Sequence, residues 1–513
     1  MICVLDYGSQ FTQLIAKRLR KLGFACEVIS GRTRAPEIRA QFPKLSGIIL
    51  SGSPSSVGQG VVPDVALLDM GLPLLGVCYG YQFLASHLGG SLSAQTHREY
   101  GAAQVTQTVE GKTDPLTKDL SFESQVWMSH GDSVVGLPKD AKLLLSSEGK
   151  PAAFSVPAKK LWGLQFHPEV HHSVEGDRIL KSFASSICGL KEDWNVGQAL
   201  DAARAKLRKK FRPEDEILCA VSGGVDSTVM AVLLSEFAKV HAVFVDHGFQ
   251  REYDLTDLQK VFKNYPSIRL EVVDARASFW KELKGVSDPE TKRKIMGRLF
   301  IETFYGHIAH AMPAGRKPWL AQGTIYSDVI ESAQNDLGAA DKIKSHHNVG
   351  GLPQDLKFEL VEPLRDFFKD EVREIGKLLG IEAWALARHP FPGPGLSIRC
   401  LGPLEPERIE CLRQADKIFH DELVSRGLYS KTWQALVVLT PLSTVGVMGD
   451  SRTYESVLAI RAVNSVDAMT AEASELPWKD LKAIASKIVN EVRGVNRVVF
   501  DLTSKPPGTI EWE

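Results

Sequence analysis

Among seven cysteines there is no C-x-x-C pair, and the number is odd. That suits a reduced compartment better than a disulfide scaffold, so a cytoplasmic protein is expected. No apolar run approaches the roughly 20 residues that cross a bilayer. The opening "MICVLDYGSQ" places Asp6 inside the stretch a signal peptide would need continuously apolar, so neither membrane span nor leader is expected. Net charge is close to zero, with 61 Lys and Arg against 62 Asp and Glu. No basic surplus is therefore available to bind nucleic acid by counterion release. Internal repeats and low-complexity tracts are also missing.

What is present reads as several folded domains. At 513 residues with 44% apolar composition, the chain exceeds a single hydrophobic core. In residues 1–189, "ICVLDYG", "GIILSGS", "PLLGVCYG" and "LWGLQFH" are short apolar runs that end in glycine or polar residues. Alternating with amphipathic stretches, they predict an α/β domain with a largely parallel sheet, whose ligands collect at the carboxyl ends of strands. The charged helical stretch "GQALDAARAKLRKKFRPEDE" marks a boundary near 189–215. A second α/β series follows in 190–388, through "ILCAVSGGVDS", "KVHAVFVDHGF", "IRLEVVDA" and "WLAQGTIYSD". The proline- and glycine-dense "RHPFPGPGLSIR" (388–399) stops regular structure. Residues 389–513 then mix helix with β-rich runs. The expected fold class is α/β: two doubly wound, mostly parallel-sheet domains followed by a smaller α+β domain.

In "GVCYGYQ" (76–82) a cysteine stands between glycines where a strand becomes a helix. Cys78 would sit at a helix N-terminus, where the dipole and free amides favour a thiolate. The pattern follows the nucleophile-elbow logic of G-x-S-x-G with sulfur as the nucleophile. Such a thiolate needs a base and the base an orienting group. "QFHPEV" offers His167 and Glu169, two apart and on one face in extended chain. The glycine-rich "LSGSPSSVG" (50–58) can add backbone amides to an oxyanion hole.

"EILCAVSGGVDSTVMAVLLSEF" (216–237) is strand, glycine-rich loop and helix. Ser222, Gly223, Gly224, Val225, Asp226, Ser227 and Thr228 place small residues and free amides at a helix N-terminus, a ready anion site. The loop lacks a Walker motif and its lysine. Gripping departing pyrophosphate therefore fits better than kinase chemistry, and adenylation is the expected reaction. Asp246 at the end of the next strand is either a nucleotide contact or a turn residue. Asp328 and Glu331 in "IYSDVIES" are consistent with Mg²⁺ binding or with a helix capping box, with Asp226 and Asp328 the metal candidates. "IKSHHNVGGLP" suggests a glycine-containing loop that carries Lys344 toward the nucleotide. Adjacent His346 and His347 point apart, with no third ligand at metal spacing.

The Cys78 and His167-Pro-Glu169 motifs resemble the class I, triad-type glutamine amidotransferases. That resemblance implies Cys78 attack on the glutamine amide, with Gly52 and Tyr79 lining the oxyanion hole. SGGVDS resembles the signature of the N-type ATP pyrophosphatases. "KRKIMGRLFIETF", "KSHHNVGGLP", "HPFPGPGLSIR", "VGVMGDSRTY", "RAVNSVDAMTAE" and "VNRVVFDLTSKPPGTIEWE" are similar to the glutamine-hydrolysing GMP synthetases, in the same order along essentially the whole chain. The family implies adenylation of xanthosine 5′-monophosphate (XMP) and its amination to GMP, with AMP and pyrophosphate as co-products. It implies Mg²⁺ with ATP, no tightly bound organic cofactor, and a homodimer through the C-terminal domain. It carries XMP binding onto Arg293, Gln434, Arg497, Lys505 and Glu511. Two positions depart from its pattern: Ser53 where a second glycine is usual, and His247 where asparagine is common. Asparagine synthetases would place a cysteine directly after the initiator, and NAD synthetases lack this C-terminal segment. A dead nucleotide-binding regulator would be expected to have lost Cys78 or the phosphate loop.

Overall fold

The computed structural model describes residues 1–93, 99–311, 319–335, 358–448, 451–465 and 470–513. The chain divides into two compact units, the first built from Met1–Leu200 together with the helix Tyr326–Asn335, the second from the remainder.

The first unit begins β1 (Ile2–Asp6), α1 (Thr12–Lys21), β2 (Cys26–Ser30), α2 (Ala35–Gln41), β3 (Gly47–Leu50), β4 (Leu74–Val77) and α3 (Tyr79–His87). Six strands follow before the sheet returns to its centre: β5 (Ser91–Ser93), β6 (Glu99–Gln107), β7 (Glu123–His130), β8 (Ser133–Gly136), β9 (Lys142–Ser147) and β10 (Lys150–Val156). β11 (Leu161–Leu164), α4 (Gly176–Lys181) and α5 (Val196–Lys210) complete this part of the chain. Nine strands form one sheet in the order β2-β1-β3-β4-β11-β10-β9-β6-β7. From β2 to β11 the neighbours are parallel, as the apolar runs predict, and β1, β3, β4 and β11 are buried along their whole length. Strands buried on both faces read as continuous Val, Ile and Leu. From β10 outward the pairing is antiparallel. That wing is missing from the sequence expectation because β6 and β7 alternate more buried with less buried residues and carry no apolar run.

The second unit contains β12 (Glu216–Ala220), α6 (Val225–Leu234), β13 (Lys239–Asp246), α7 (Asp254–Phe262), β14 (Ile268–Asp274), α8 (Arg276–Leu283), α9 (Pro289–Ala311) and β15 (Trp319–Ala321). After α10 (Tyr326–Asn335), which belongs to the first unit, it resumes with β16 (Glu359–Val361), α11 (Lys369–Leu378), α12 (Ala383–Leu386) and α13 (Pro406–Ser425). It ends with β17 (Gln434–Met448), β18 (Ser451–Asn464), β19 (Glu472–Ala473), α14 (Trp478–Glu491) and β20 (Val495–Phe500). The sheet β14-β13-β12-β15-β16 is parallel throughout. β17 and β18 form a long antiparallel hairpin, with β20 added parallel to β18.

One apolar core runs from Leu218 and Val243 through Leu396 and Cys400 to Leu458 and Val495. The segment 388–399 does interrupt regular structure, yet it is no exposed linker: Arg388, His389, Leu396, Ile398 and Arg399 are all buried. Gly395, at φ +64°, lets the chain pass so close to Phe249 that a Cβ there would lie 2.2 Å from the Phe249 carbonyl oxygen. Among the described residues, no helix is long and apolar enough to cross a membrane.

Candidate active sites

Cys78 caps the N-terminus of α3 with φ 52° and ψ −99°. This is a sparsely populated conformation for a residue with a Cβ, of the kind that persists where the surroundings over-determine it. The surroundings are tight. A Cβ on Gly76 would stand 2.4 Å from the Gly80 carbonyl carbon, and one on Gly80 would stand 2.6 Å from the Leu50 carbonyl oxygen. Glycine at both positions lets α3 start against β3 and β4. The Cys78 amide donates to the Leu164 carbonyl at 2.7 Å, joining the turn to β11.

β11 then delivers His167 and Glu169, both almost wholly buried. His167 Nδ1–H donates to Glu169 Oε1 at 2.7 Å, which leaves Nε2 as the free ring nitrogen. Burial works against a charged imidazole, but Glu169 and then Cys78, which is within hydrogen-bonding reach, outweigh it and raise His167 to about 10. Phe11 packs edge-on to the ring at 4.9 Å between centroids. Gly52 lies beside it, since a Cβ there would be 3.1 Å from His167 Cε1. The amides of Gly52 and Tyr79 donate to no acceptor among the described residues. Ser53, the departure noted in the sequence, accepts the Ser55 amide at 3.2 Å and closes the turn by its own side chain.

In the second unit the SGGVDS loop joins β12 to α6. Gly223 is left-handed at φ +77° and Gly224 caps the helix. Thr228 Oγ1 and Ser227 Oγ both donate to the Gly224 carbonyl, at 2.9 and 3.1 Å. Ser222 Oγ faces the Gly224 amide at 3.4 Å, and Val225 and Asp226 open the first turn of α6. One Asp226 oxygen accepts from Lys369 Nζ at 3.0 Å, while Oδ1 is buried without a partner. Lys369 escaped the sequence reading because it lies 143 residues from the loop. The Lys-Asp-Glu at the start of α11 is the only local signal.

His247 explains its own departure from the family pattern. Its Nδ1 accepts the Phe249 amide two residues on, at 3.2 Å, the bond an asparagine side chain makes in the same turn. Burial lowers its pKa to about 4. Asp246 likewise accepts the Gly248 amide at 3.0 Å, so the turn reading of Asp246 has a concrete partner. Beside it, a cavity of about 470 Å³ opens between Asp246, Arg276, Trp280 and Glu410.

Asp328 and Glu331 lie one turn apart on α10, which is anchored within the first unit where Tyr326 Oη accepts the Val28 amide at 2.6 Å. Lys344, with His346 and His347, lies outside the described residues. Of the XMP candidates, two come together: Gln434 Nε2 donates to Glu511 Oε1 at 2.7 Å. Arg399, which sequence reasoning missed, grips the same carboxylate through Nε and Nη2 at 3.0 and 2.8 Å. Arg293 pairs with Glu290 in its own helix, Arg497 Nε donates to Thr444 Oγ1, and the Lys505 backbone bridges Ala471. No contact joins these three to the Glu511 cluster among the described residues. It is Lys292, fully buried, that reaches the end of the chain through Glu513 at 2.7 Å.

The family model described as glutamine amidotransferase class-I matches residues 3–187, and that described as GMP synthase C terminal domain matches 421–512. A GMP synthase [glutamine-hydrolyzing] from Chlorobaculum tepidum is 47% identical over 521 residues, covering 100% of this chain and 99% of its own. Enzymes of the same name from Campylobacter hominis and Nitratiruptor sp. are also 47% identical, with the same two coverages. The chain belongs to the glutamine-hydrolysing GMP synthase family. It is thereby a ligase of purine nucleotide biosynthesis with an amidotransferase domain, in an ATP-dependent family. The turn at Cys78 falls inside the amidotransferase match, and Gln434 and Glu511 inside the C-terminal one.

Proposed function

We propose that the chain makes GMP from XMP by two coupled reactions, with residues 1–189 as glutaminase, 190–388 as adenylating domain and 389–513 as acceptor-binding and dimerisation domain. The observation that carries this reading is the buried Cys78–His167–Glu169 line at a strained strand-to-helix turn, in a chain that also holds an SGGVDS loop. Cys78 Sγ attacks the side-chain amide carbon of glutamine, and the oxyanion lies against the Gly52 and Tyr79 amides. The C–N bond breaks as His167 gives its proton to the departing ammonia, and water then cleaves the thioester to glutamate.

In the second reaction the XMP C2 oxygen attacks the α-phosphorus of ATP. Pyrophosphate leaves into the amides of residues 222–228, and ammonia displaces AMP to give GMP. Mg²⁺ bound with ATP would offset the phosphate charge. The buried, unpartnered Asp226 Oδ1 of the second unit fits a carboxylate that meets such an ion, and it is the metal ligand we assign there. Carboxylates few in number suit Mg²⁺, which keeps waters and substrate phosphates as its other ligands. We assign the purine of XMP to Gln434 and Glu511, and its phosphate to the cations Arg293, Arg497 and Lys505. A homodimer through the C-terminal domain is supported by exposed Leu442, Val445, Val447 and Tyr454 on the β17–β18 hairpin, an apolar face that asks for cover. Free cysteines suit a cytoplasmic enzyme.

The test is incubation with Mg·ATP, glutamine and XMP, following GMP and AMP by chromatography, with deamido-NAD and aspartate as rival acceptors. Equal amounts of XMP-dependent GMP and AMP are expected. Turnover with a rival acceptor alone would overturn the assignment of the substrate.

A further inference from the structure

The buried segment that follows α12 touches both halves of the proposed synthetase chemistry through two consecutive residues. Arg388 Nη1 donates to the Gly223 carbonyl at 2.6 Å. Its Nη2 meets Asp254, a carboxylate that Arg251 also grips through Nε and Nη2 at 3.1 and 2.9 Å. Gly223 is the one left-handed residue of the SGGVDS loop, so nothing in its own side chain limits its rotation. Its carbonyl and the Gly224 amide belong to one planar trans peptide and point in opposite directions. Fixing the oxygen on Arg388 therefore fixes the direction of the Gly224 N–H, which meets Ser222 Oγ at 3.4 Å and belongs to the amides assigned to the anion.

His389, the next residue, faces the other way. Its Nε2–H donates to the Tyr429 carbonyl at 3.0 Å and its Nδ1 accepts the Ala435 amide at 3.1 Å. The ring stacks on Tyr429 with centroids 3.7 Å apart. Ala435 follows Gln434, the residue bonded to Glu511, so His389 holds the start of β17 at that residue. Two residues on, Phe391 lies between the guanidinium groups of Arg251, at 4.2 Å, and Arg399, at 4.9 Å. Arg251 is the partner of Asp254 and Arg399 the partner of Glu511. Two short paths of buried contacts thus lead from the loop at Gly223 to the Gln434–Glu511 pair, and both run through 388–391.

We propose that Arg388 and His389 are positioning residues, Arg388 for the ATP loop and His389 for the XMP pocket, so that one dipeptide sets both substrate sites from a common backbone. The proposal rests on the assignment of ATP to 222–228 and of XMP to Gln434 and Glu511. Substituting either residue should disturb one substrate and spare the other, although the two are neighbours in sequence and equally buried. A merely structural role would weaken both or neither.

The experiment is ammonia-driven GMP synthesis by the full-length enzyme, with ATP varied at saturating XMP and XMP varied at saturating ATP. Arg388→Lys keeps the charge but replaces the planar fork that meets Gly223 and Asp254 through separate nitrogens with one ammonium nitrogen. It should raise KM for ATP at least tenfold and change KM for XMP less than threefold, since small misplacements cost up to about a hundredfold. His389→Phe keeps the stack on Tyr429 and strips the Ala435 amide of its acceptor. It should raise KM for XMP at least tenfold with KM for ATP within threefold. Millimolar guanidinium added to Arg388→Ala should recover KM for ATP alone. Equal changes in both KM values, no change in either, or no recovery by guanidinium with an unaltered melting temperature would overturn the proposal. Failure of the wild-type enzyme to aminate XMP would overturn the underlying assignment, a result separable from any variant's.

Discussion

Replacing Glu169 by Gln removes one charge and keeps nearly the same shape, so its consequence can be worked from the site. Glu169 is 1% exposed and its Oε1 lies 2.7 Å from His167 Nδ1. Charge centres about 4 Å apart at an effective dielectric near 20 attract by about 4 kcal/mol, close to three pKa units. Burial opposes the charged ring, and this attraction together with that of Cys78 outweighs it and raises His167 to about 10. With glutamine in place the burial remains and the Glu169 attraction does not, so the His167 pKa falls although Cys78 still opposes the fall. The amide can also donate to Nδ1, turning the ring proton toward Cys78. Glutamine-driven GMP synthesis at pH 7.5 should then drop by about 10⁴-fold, the cost of the wrong tautomer in a triad. Ammonia-driven synthesis, measured in parallel with ammonium chloride, should stay within twofold. Stability should shift as well. A raised folded pKa contributes stability that is complete below 6.5 and lost as pH climbs through about 10, so the variant should lose stability less steeply in alkali. A glutamine-driven loss under tenfold, or an equal loss with ammonia, would refute the reasoning.

Cys78→Ala should abolish glutamine-driven synthesis while ammonia-driven synthesis continues, read as GMP formed with each nitrogen source; loss of both would mean the two chemistries are inseparable. Asp226→Asn removes the carboxylate that Lys369 holds and that we assign to Mg²⁺, and should lower GMP formation with either nitrogen source by about 10²-fold; a loss confined to glutamine would contradict the assignment. His247 has its pKa lowered from 6.5 to about 4 by burial, so the stability it contributes is present above 6.5 and lost as pH falls through 4, by about 3 kcal/mol in all. His247→Asn keeps an acceptor for the Phe249 amide, and its melting temperature should fall less than the wild type's between pH 6.5 and 4; parallel curves would contradict this.

The candidate catalytic residues were more legible than the sheet that holds them. Cys78 is found because glycines flank it, and the structure gives each of those glycines a steric reason. β1, β3, β4 and β11 are found because strands buried on both faces have no polar alternation to hide them. β6 and β7 are missed for the opposite reason, as half-exposed strands without an apolar run. Lys369, Arg388 and Arg399 are invisible for a third reason: they are single cations in loops or at a helix start, and only their three-dimensional partners mark them. Proline and glycine density in 388–399 signals irregular backbone, and it says nothing about exposure. Here the irregular segment is buried, with the side chains of Arg388 and His389 bonded to the Gly223 and Tyr429 carbonyls and the Ala435 amide.

On the roles proposed for them, the two strand-to-helix turns differ as a nucleophile differs from an anion cradle on the same scaffold. Both place amides at a helix N-terminus beyond a buried parallel strand, and both use a left-handed residue to make the bend. In the ATP loop only the amides are wanted, so the left-handed residue is Gly223 and the bend carries no steric cost. At the elbow the side chain itself must be presented, so the residue at φ 52° is Cys78. The strain of order 1–3 kcal/mol that a Cβ brings there is offset by glycines at 76 and 80, which remove the contacts that would add to it. The same comparison says which substitution each turn tolerates. Cys78→Gly should relax the elbow and raise the melting temperature by a few degrees with glutamine use abolished, whereas Gly223→Ala should lower it and weaken ATP binding. If Cys78→Gly proves less stable than Cys78→Ala, the turn is held by packing of the Cβ and not strained by it.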